Sequence, residues 1–177
     1  TSLLFVDSHV EDYQTLIEDI QSGVDVVILD ENRDGVEQIA NALENYSELN
    51  SLHILSHGNQ GEVYLGNSTL SKHTLDTYQT ALQAWGKALS KTADILVYGC
   101  NVAKGLIGKQ FIQQIANHTG ANIASSSNLT GNHELGGDWL LDYQTGGIHS
   151  GSPFGQQILN DYKHVLPTFG FETAVLD

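Results

Sequence analysis

Apolar residues follow two alternating rhythms through the first 125 positions of the chain. Short, mostly apolar runs stand at Leu3–Val6, Val24–Leu29, Leu52–Leu55, Ile95–Tyr98 and Ala121–Ala124. Between them the spacing changes. Tyr13, Leu16, Ile17 and Ile20 fall at i, i+3, i+4 and i+7, which is one face of a helix. Val36, Ile39, Ala40 and Leu43 repeat that spacing. Leu75–Leu89 and the set Ile107, Phe111, Ile112 and Ile115 predict two further helices. Strands that alternate with helices predict a parallel sheet covered on both faces, because each crossover must run over one face. The expected fold class is α/β: a doubly wound three-layer α/β/α sandwich with a mainly parallel sheet.

After Ser125 the pattern breaks. Gly131, Gly136, Gly137, Gly146 and Gly147 punctuate two short apolar stretches, Trp139–Leu141 and Ile148. This predicts an additional β-hairpin beside the main sheet. Beyond Ser150 the chain holds both of its prolines and no clear helical period. Residues 1–150 therefore read as the α/β domain and residues 151–177 as a tail or a linker to a following domain.

Open α/β sheets place their sites just past the carboxyl ends of the strands. The first strand ends at Asp7-Ser8, the third at Ser56-His57-Gly58, the fourth at Gly99-Cys100-Asn101 and the fifth at Ser125-Ser126-Ser127. Cys100 is the only cysteine, so it is either a small buried hydrophobe or a reactive thiol, and it forms no internal disulfide. If the third and fourth strands are neighbours, their axes lie about 4.8 Å apart and the His57 imidazole can meet the Cys100 thiol. A histidine base beside a cysteine is the usual route to a thiolate near neutral pH. Gly58 lets a carbonyl approach the backbone closely, and the N–H groups of Gly58 and Cys100 can both point at a developing oxyanion.

Charge narrows the partners. The chain of 177 residues carries 21 acids against 7 bases, a net of −14, which argues against nucleic acid. It suits a soluble domain, a cationic substrate or calcium-rich surroundings. No apolar run approaches the roughly 20 residues of a membrane span, and no signal-like segment opens the chain, so any export signal is expected outside it. Asp30–Gly35 imitates the start of an EF-hand loop, but the twelfth position is Asn41 and Glu37–Leu43 reads as helix. The remaining histidines show no metal-ligand spacing. No metal and no cofactor are expected.

An apolar strand ending in His-Gly, then a later one ending in a small residue and Cys, resembles the caspase-like (clan CD) cysteine peptidases. These include caspases, legumains, gingipains and the self-cleaving domains of large bacterial toxins. More closely, the chain resembles the domain of unknown function 4347 family, found in very large bacterial surface or secreted proteins with cadherin-like and calcium-binding repeats. The matching stretches are Phe5-Val6-Asp7-Ser8, Asp34-Gly35-Val36-Glu37-Gln38-Ile39, Leu55-Ser56-His57-Gly58, Tyr98-Gly99-Cys100-Asn101-Val102-Ala103 and Leu135-Gly136-Gly137-Asp138-Trp139, spread over residues 3–150.

The resemblance implies Cys100 as nucleophile and His57 as base. It implies that Asp7, at the end of the first strand, lines the pocket for the side chain before the scissile bond. It also implies that Asn122–Ser126, including Ser125 and Ser126, pairs with the substrate backbone. An acid in that pocket favours Arg or Lys, and Asp138 and Asp142 can add to it. Asp7 also has a plain alternative as the cap of a following helix. The expected substrate is a peptide or protein, including the parent chain itself, with Lys163 as a self-cleavage point. The expected place is the cell surface or the exterior, within a larger protein. The other readings from the same residues are a catalytically inactive docking or surface-retention module and an acyltransferase or esterase that uses the same dyad.

Overall fold

The structure is a computed structural model and describes residues 1–166. Nine strands and five α-helices alternate along those residues. Strands β1 (Ser2–Asp7), β2 (Val24–Leu29), β3 (Leu49–Leu55), β7 (Leu89–Tyr98) and β8 (Asn122–Ser125) run parallel, and β9 (Tyr143–Gln144) adds an antiparallel edge. Their order is β2-β1-β3-β7-β8-β9. The five apolar runs are thus the five parallel strands. Those of β1, β3, β7 and β8 are buried on both faces, so they read as runs rather than as alternations, whereas the edge strand β2 leaves Asp25 and Ile28 exposed.

Alternate strand residues feed two cores, one on each face. Leu3, Phe5, Leu52, Ile54, Ile95, Val97 and Ile123 face helices α2 (Gly35–Leu43), α3 (Gln79–Lys87) and α4 (Gly105–Thr119), which contribute Ile39, Leu82, Trp85 and Phe111. Leu4, Val6, Leu55, Leu96, Tyr98 and Ala124 face α1 (Tyr13–Leu16), α5 (Gln156–Asp161) and the loops around them, through Leu16, Phe154, Leu159 and Tyr162. The three-layer α/β sandwich is therefore present. Helix α2 starts where Asp34 accepts the N–H groups of Val36 and Glu37, so the aspartate of the EF-hand-like stretch caps a helix. Helix α4 stops at Gly120, whose φ of 76° is the left-handed conformation glycine adopts without strain. No helix of the described residues is long and apolar enough to cross a membrane.

Three features differ from the sequence reading. Helix α1 is a single turn although the apolar period runs to Ile20, because Ile20 leaves the helix to bridge Phe154. The additional antiparallel structure lies at residues 58–71, where β4 (Gly58–Asn59), β5 (Glu62–Leu65) and β6 (Ser68–Ser71) form a small sheet. Of the stretch 131–148, only β9 joins the main sheet. Finally, residues 151–166 are folded into the domain: Phe154, Leu159, Tyr162 and Leu166 are buried in the second core. A segment with no helical period still packs when its few apolar residues each reach the core.

Candidate active site

Strands β3 and β7 are parallel neighbours in the register Leu55↔Tyr98, and the Ser56 N–H continues the ladder to the Tyr98 carbonyl. The same register carries Ser56 and His57 alongside Gly99 and Cys100, past both carboxyl ends. By strand alternation His57 shares a face with Leu55 and Cys100 with Tyr98, both on the α1/α5 side. Both residues are fully buried. The chain turns at once after Cys100, with Asn101 at φ 60°. A Cβ on Gly58 would stand 2.6 Å from a Val102 methyl carbon and 2.9 Å from the Cys100 carbonyl, so glycine is what lets the two loops touch.

The loop after β1 orients the imidazole. His57 Nε2 lies 3.0 Å from the His9 carbonyl oxygen and 3.3 Å from Glu11 Oε1. Burial alone would raise the Glu11 pKa, but its hydrogen bond with His57 and the charges of His57 and His164 outweigh that and hold it below the usual value. Glu11 is therefore a carboxylate at neutral pH, and it favours the imidazolium. His57 Nε2 is thus turned to these two acceptors, both supplied by the loop after β1.

Polar hydrogens surround the sulfur. Cys100 Sγ receives the Thr130 N–H at 3.2 Å and the Leu166 N–H at 3.1 Å. These two N–H groups favour a thiolate, while the Thr130 carbonyl oxygen, 3.5 Å from Sγ, accepts the S–H of the thiol. Beside it, the Gly58 and Cys100 N–H groups converge on one oxygen, the Leu166 carbonyl, at 3.1 and 3.2 Å. The arrangement can hold a thiolate, take up a proton and fix a carbonyl oxygen through two amides.

The expected substrate-binding residues sit differently. Asp7 is fully buried, with one carboxylate oxygen accepting the Gly66 N–H at 2.8 Å and the other 3.0 Å from His9 Nδ1. It shares strand parity with Leu3 and Phe5, on the α2 side rather than the Cys100 side. Ser125 donates to the Val97 carbonyl, and Ser126 donates to Asn128. β8 pairs with β7 and β9, which leaves it no edge for a further strand. Asp138 accepts from the Asn128 amide and from the Leu140 N–H. Asp142 accepts from the Ser127 hydroxyl and N–H; these bonds outweigh the upward push of burial and lower its pKa. Each of these acids is thus engaged by the protein itself.

Several residues now at the site escaped the sequence reading: His9, Glu11, Thr130, Gly131, Asn132 and Leu166. Glu11 had a signal, since it follows the first strand's end and that strand adjoins the third. Thr130–Asn132 and Leu166 had none, because neither lies on a periodic segment.

The fold and the site together define a class: a doubly wound α/β domain with a thiol and an imidazole at the carboxyl edge of adjacent central strands. The sequence profile of the family described as domain of unknown function (DUF4347) matches residues 3–166, and the chain belongs to that family. No curated protein matches it.

Proposed function

We propose that the domain is a cysteine endopeptidase in which His57 and Cys100 form the catalytic dyad, akin in plan to the caspase-like peptidases. One observation carries this reading: the Gly58 and Cys100 N–H groups meet on a single carbonyl oxygen whose own residue donates its N–H to the Cys100 sulfur. Preorganised donors at an acyl oxygen are usually the largest contribution to acyl-transfer catalysis. In the proposed reaction His57 takes the thiol proton and the thiolate attacks the carbonyl carbon. The oxyanion forms between Gly58 and Cys100, and His57 returns the proton to the leaving amine. Glu11 and the His9 carbonyl hold the ring and stabilise its charged form.

The Arg or Lys preference expected from Asp7 finds no open carboxylate in this geometry, so the proposal carries no basic pocket. We keep as part of the proposal that the domain works within a larger secreted or surface protein. The docking-module reading draws on the full burial of His57 and Cys100.

Iodoacetamide alkylation of Cys100 followed against pH separates the two readings. A live dyad keeps the rate high down to about pH 6, and His57→Ala lowers it there roughly 10²-fold, because an ordinary thiol near pKa 8.5 is almost wholly protonated at that pH. Any need for the site to open before the reagent enters applies to both proteins, so their ratio reads the dyad alone. Equal rates in the two would leave the docking module.

A further inference from the structure

Residues 162–166 lie along the site as an extended strand, and the protein holds their backbone as an enzyme holds a peptide. The Tyr162 carbonyl accepts from the Asn132 side-chain amide at 2.6 Å, and the His164 carbonyl accepts from the Asn132 N–H at 2.9 Å. Val165 bridges Gly131 in antiparallel pairing, and the Leu166 N–H donates to the Thr130 carbonyl at 3.0 Å. The strand ends with the Leu166 carbonyl between the Gly58 and Cys100 N–H groups. Its close approach depends on Gly131, at φ 133°, where a Cβ would collide with the His164 carbonyl oxygen and stand 2.7 Å from Val165 Cα. This is recognition by strand addition, in which the main chain supplies affinity and one side chain supplies selectivity.

The register decides which bond is presented. Leu166 N lies 3.1 Å from Cys100 Sγ, and the Leu166 carbonyl carbon is two bonds from that nitrogen, with its oxygen fixed by two amides. Attack needs the nucleophile beside a carbonyl carbon whose oxygen is already held. The Leu166 side chain is fully buried in the apolar cluster that contains Leu55, Tyr98 and Cys100. Lys163 is exposed and stands three residues earlier, away from the paired N–H groups.

Resting on the peptidase reading above, we propose that the chain's own Leu166–Pro167 peptide bond is the bond this site is built to meet. It is cleaved in cis, and the acyl-side pocket takes leucine rather than Arg or Lys. The thiolate adds to the Leu166 carbonyl carbon. The Leu166–Pro167 C–N bond breaks as His57 protonates the proline nitrogen, leaving a thioester between Cys100 and Leu166. Water, deprotonated by His57, then attacks the thioester to give a Leu166 carboxylate and restore the thiol. Proline leaves as a secondary amine whose ring crowds the nitrogen, so the reaction is a slow single turnover. The bonds to Thr130 and Asn132 do not involve the broken bond, so the cleaved strand stays in place.

The test is intact-mass spectrometry of the purified 177-residue chain at neutral pH, followed with time. We expect first-order conversion to a species ending at Leu166 plus a peptide beginning at Pro167, at a rate independent of protein concentration. Pro167→Ala speeds it at least severalfold, and Cys100→Ala stops it. Cleavage after Lys163 instead would overturn the proposal. So would a full-length chain in both wild type and Pro167→Ala while Cys100 alkylation still depends on His57; that pattern keeps the peptidase and removes this substrate. Alkylation indifferent to His57→Ala would remove the peptidase reading itself.

Discussion

Two buried histidines on the same face of one strand and its extension have opposite characters. His53 lies within β3 and His57 just past its end, four residues on. His53 hydrogen-bonds Ser51 Oγ at 2.9 Å, and its Nδ1 has no hydrogen-bond partner. Burial pushes its pKa down to about 4, and Asp94, which would raise it, only partly opposes this. One Asp94 oxygen already accepts the His149 and Ser150 N–H groups. Ser51, His53 and Asp94 are the residue types of a serine hydrolase, yet they make no such site. The imidazole is a weak base there, no carboxylate holds its second nitrogen, and the Ser51 hydroxyl donates to Ser2. At His57 the same burial meets an ionised Glu11 and a backbone carbonyl. Burial alone favours a neutral histidine; a carboxylate beside a ring nitrogen opposes that push.

The largest expected contrast lies in reactivity. Cys100→Ala should abolish covalent chemistry, and His57→Ala should cut peptide cleavage by roughly 10²-fold or more, the ordinary worth of a general base. His53→Gln should leave both cleavage and alkylation within about twofold of wild type. A His53 variant as inactive as His57→Ala, yet folded by circular dichroism, would erase the distinction.

His53 should show itself in stability instead. Its folded pKa of about 4 lies below the ordinary 6.5, so between those values the unfolded chain binds the proton and the folded one does not. Stability is therefore full above about pH 6.5 and falls as pH drops toward 4, by about 3 kcal/mol as an order of magnitude. Urea unfolding of wild type and His53→Gln at pH 7 and pH 4.5 checks this. The variant should lose less on acidification.

How far the sequence reaches follows the same division between strands and loops. The runs at Leu3–Val6, Leu52–Leu55 and Ile95–Tyr98 are buried on both faces, and that alone placed His57 and Cys100 at one end of a parallel sheet. The Gly58 and Cys100 N–H pair was legible for the same reason, since register carries it past the strand ends. The groove was not legible. Thr130, Gly131 and Asn132 belong to an irregular loop whose shape is set by long-range bonds to residues 162–166, and no local period encodes such pairing. The surroundings of Asp7 were not legible for a related reason. Position at a strand end fixes where a residue lies but not which way it points, and here it satisfies a turn in the small β5–β6 sheet.

Glu11→Gln tests the carboxylate side of the comparison and should have a moderate effect. The substituted amide can still hydrogen-bond His57 but no longer favours its charge. Loss of an opposite charge moves a neighbouring pKa by about one unit. Alkylation at pH 6 should slow by roughly 3- to 10-fold while the rate near pH 9 stays unchanged. Glu11 also has a lowered folded pKa, so its stabilisation is present above its ordinary value of 4.5 and is lost as pH falls below it. The variant should lack that acid dependence. A uniform slowing at every pH would mean that Glu11 only packs the loop.

The smallest effect on specificity is expected at Asp7, and it separates the two ideas of what this acid does. If Asp7 floored a basic pocket, Asp7→Asn would lower cleavage after Arg or Lys by several powers of ten, because a buried carboxylate discriminates strongly for a cation. Its oxygens instead accept the Gly66 N–H and meet His9 Nδ1, and His9 in turn presents its carbonyl to His57. The asparagine of the variant keeps an acceptor for Gly66 and loses the charge beside His9. The expected outcome is a modest loss of stability, about 1 kcal/mol for a weakened buried hydrogen bond, and a slightly slower reaction as the loop that orients His57 loosens. The residue preferred before the scissile bond should not change. Profiling with a peptide library, wild type against Asp7→Asn, reads this directly. A preference for Arg or Lys in the wild type that disappears in the variant would return Asp7 to the pocket and displace leucine from it.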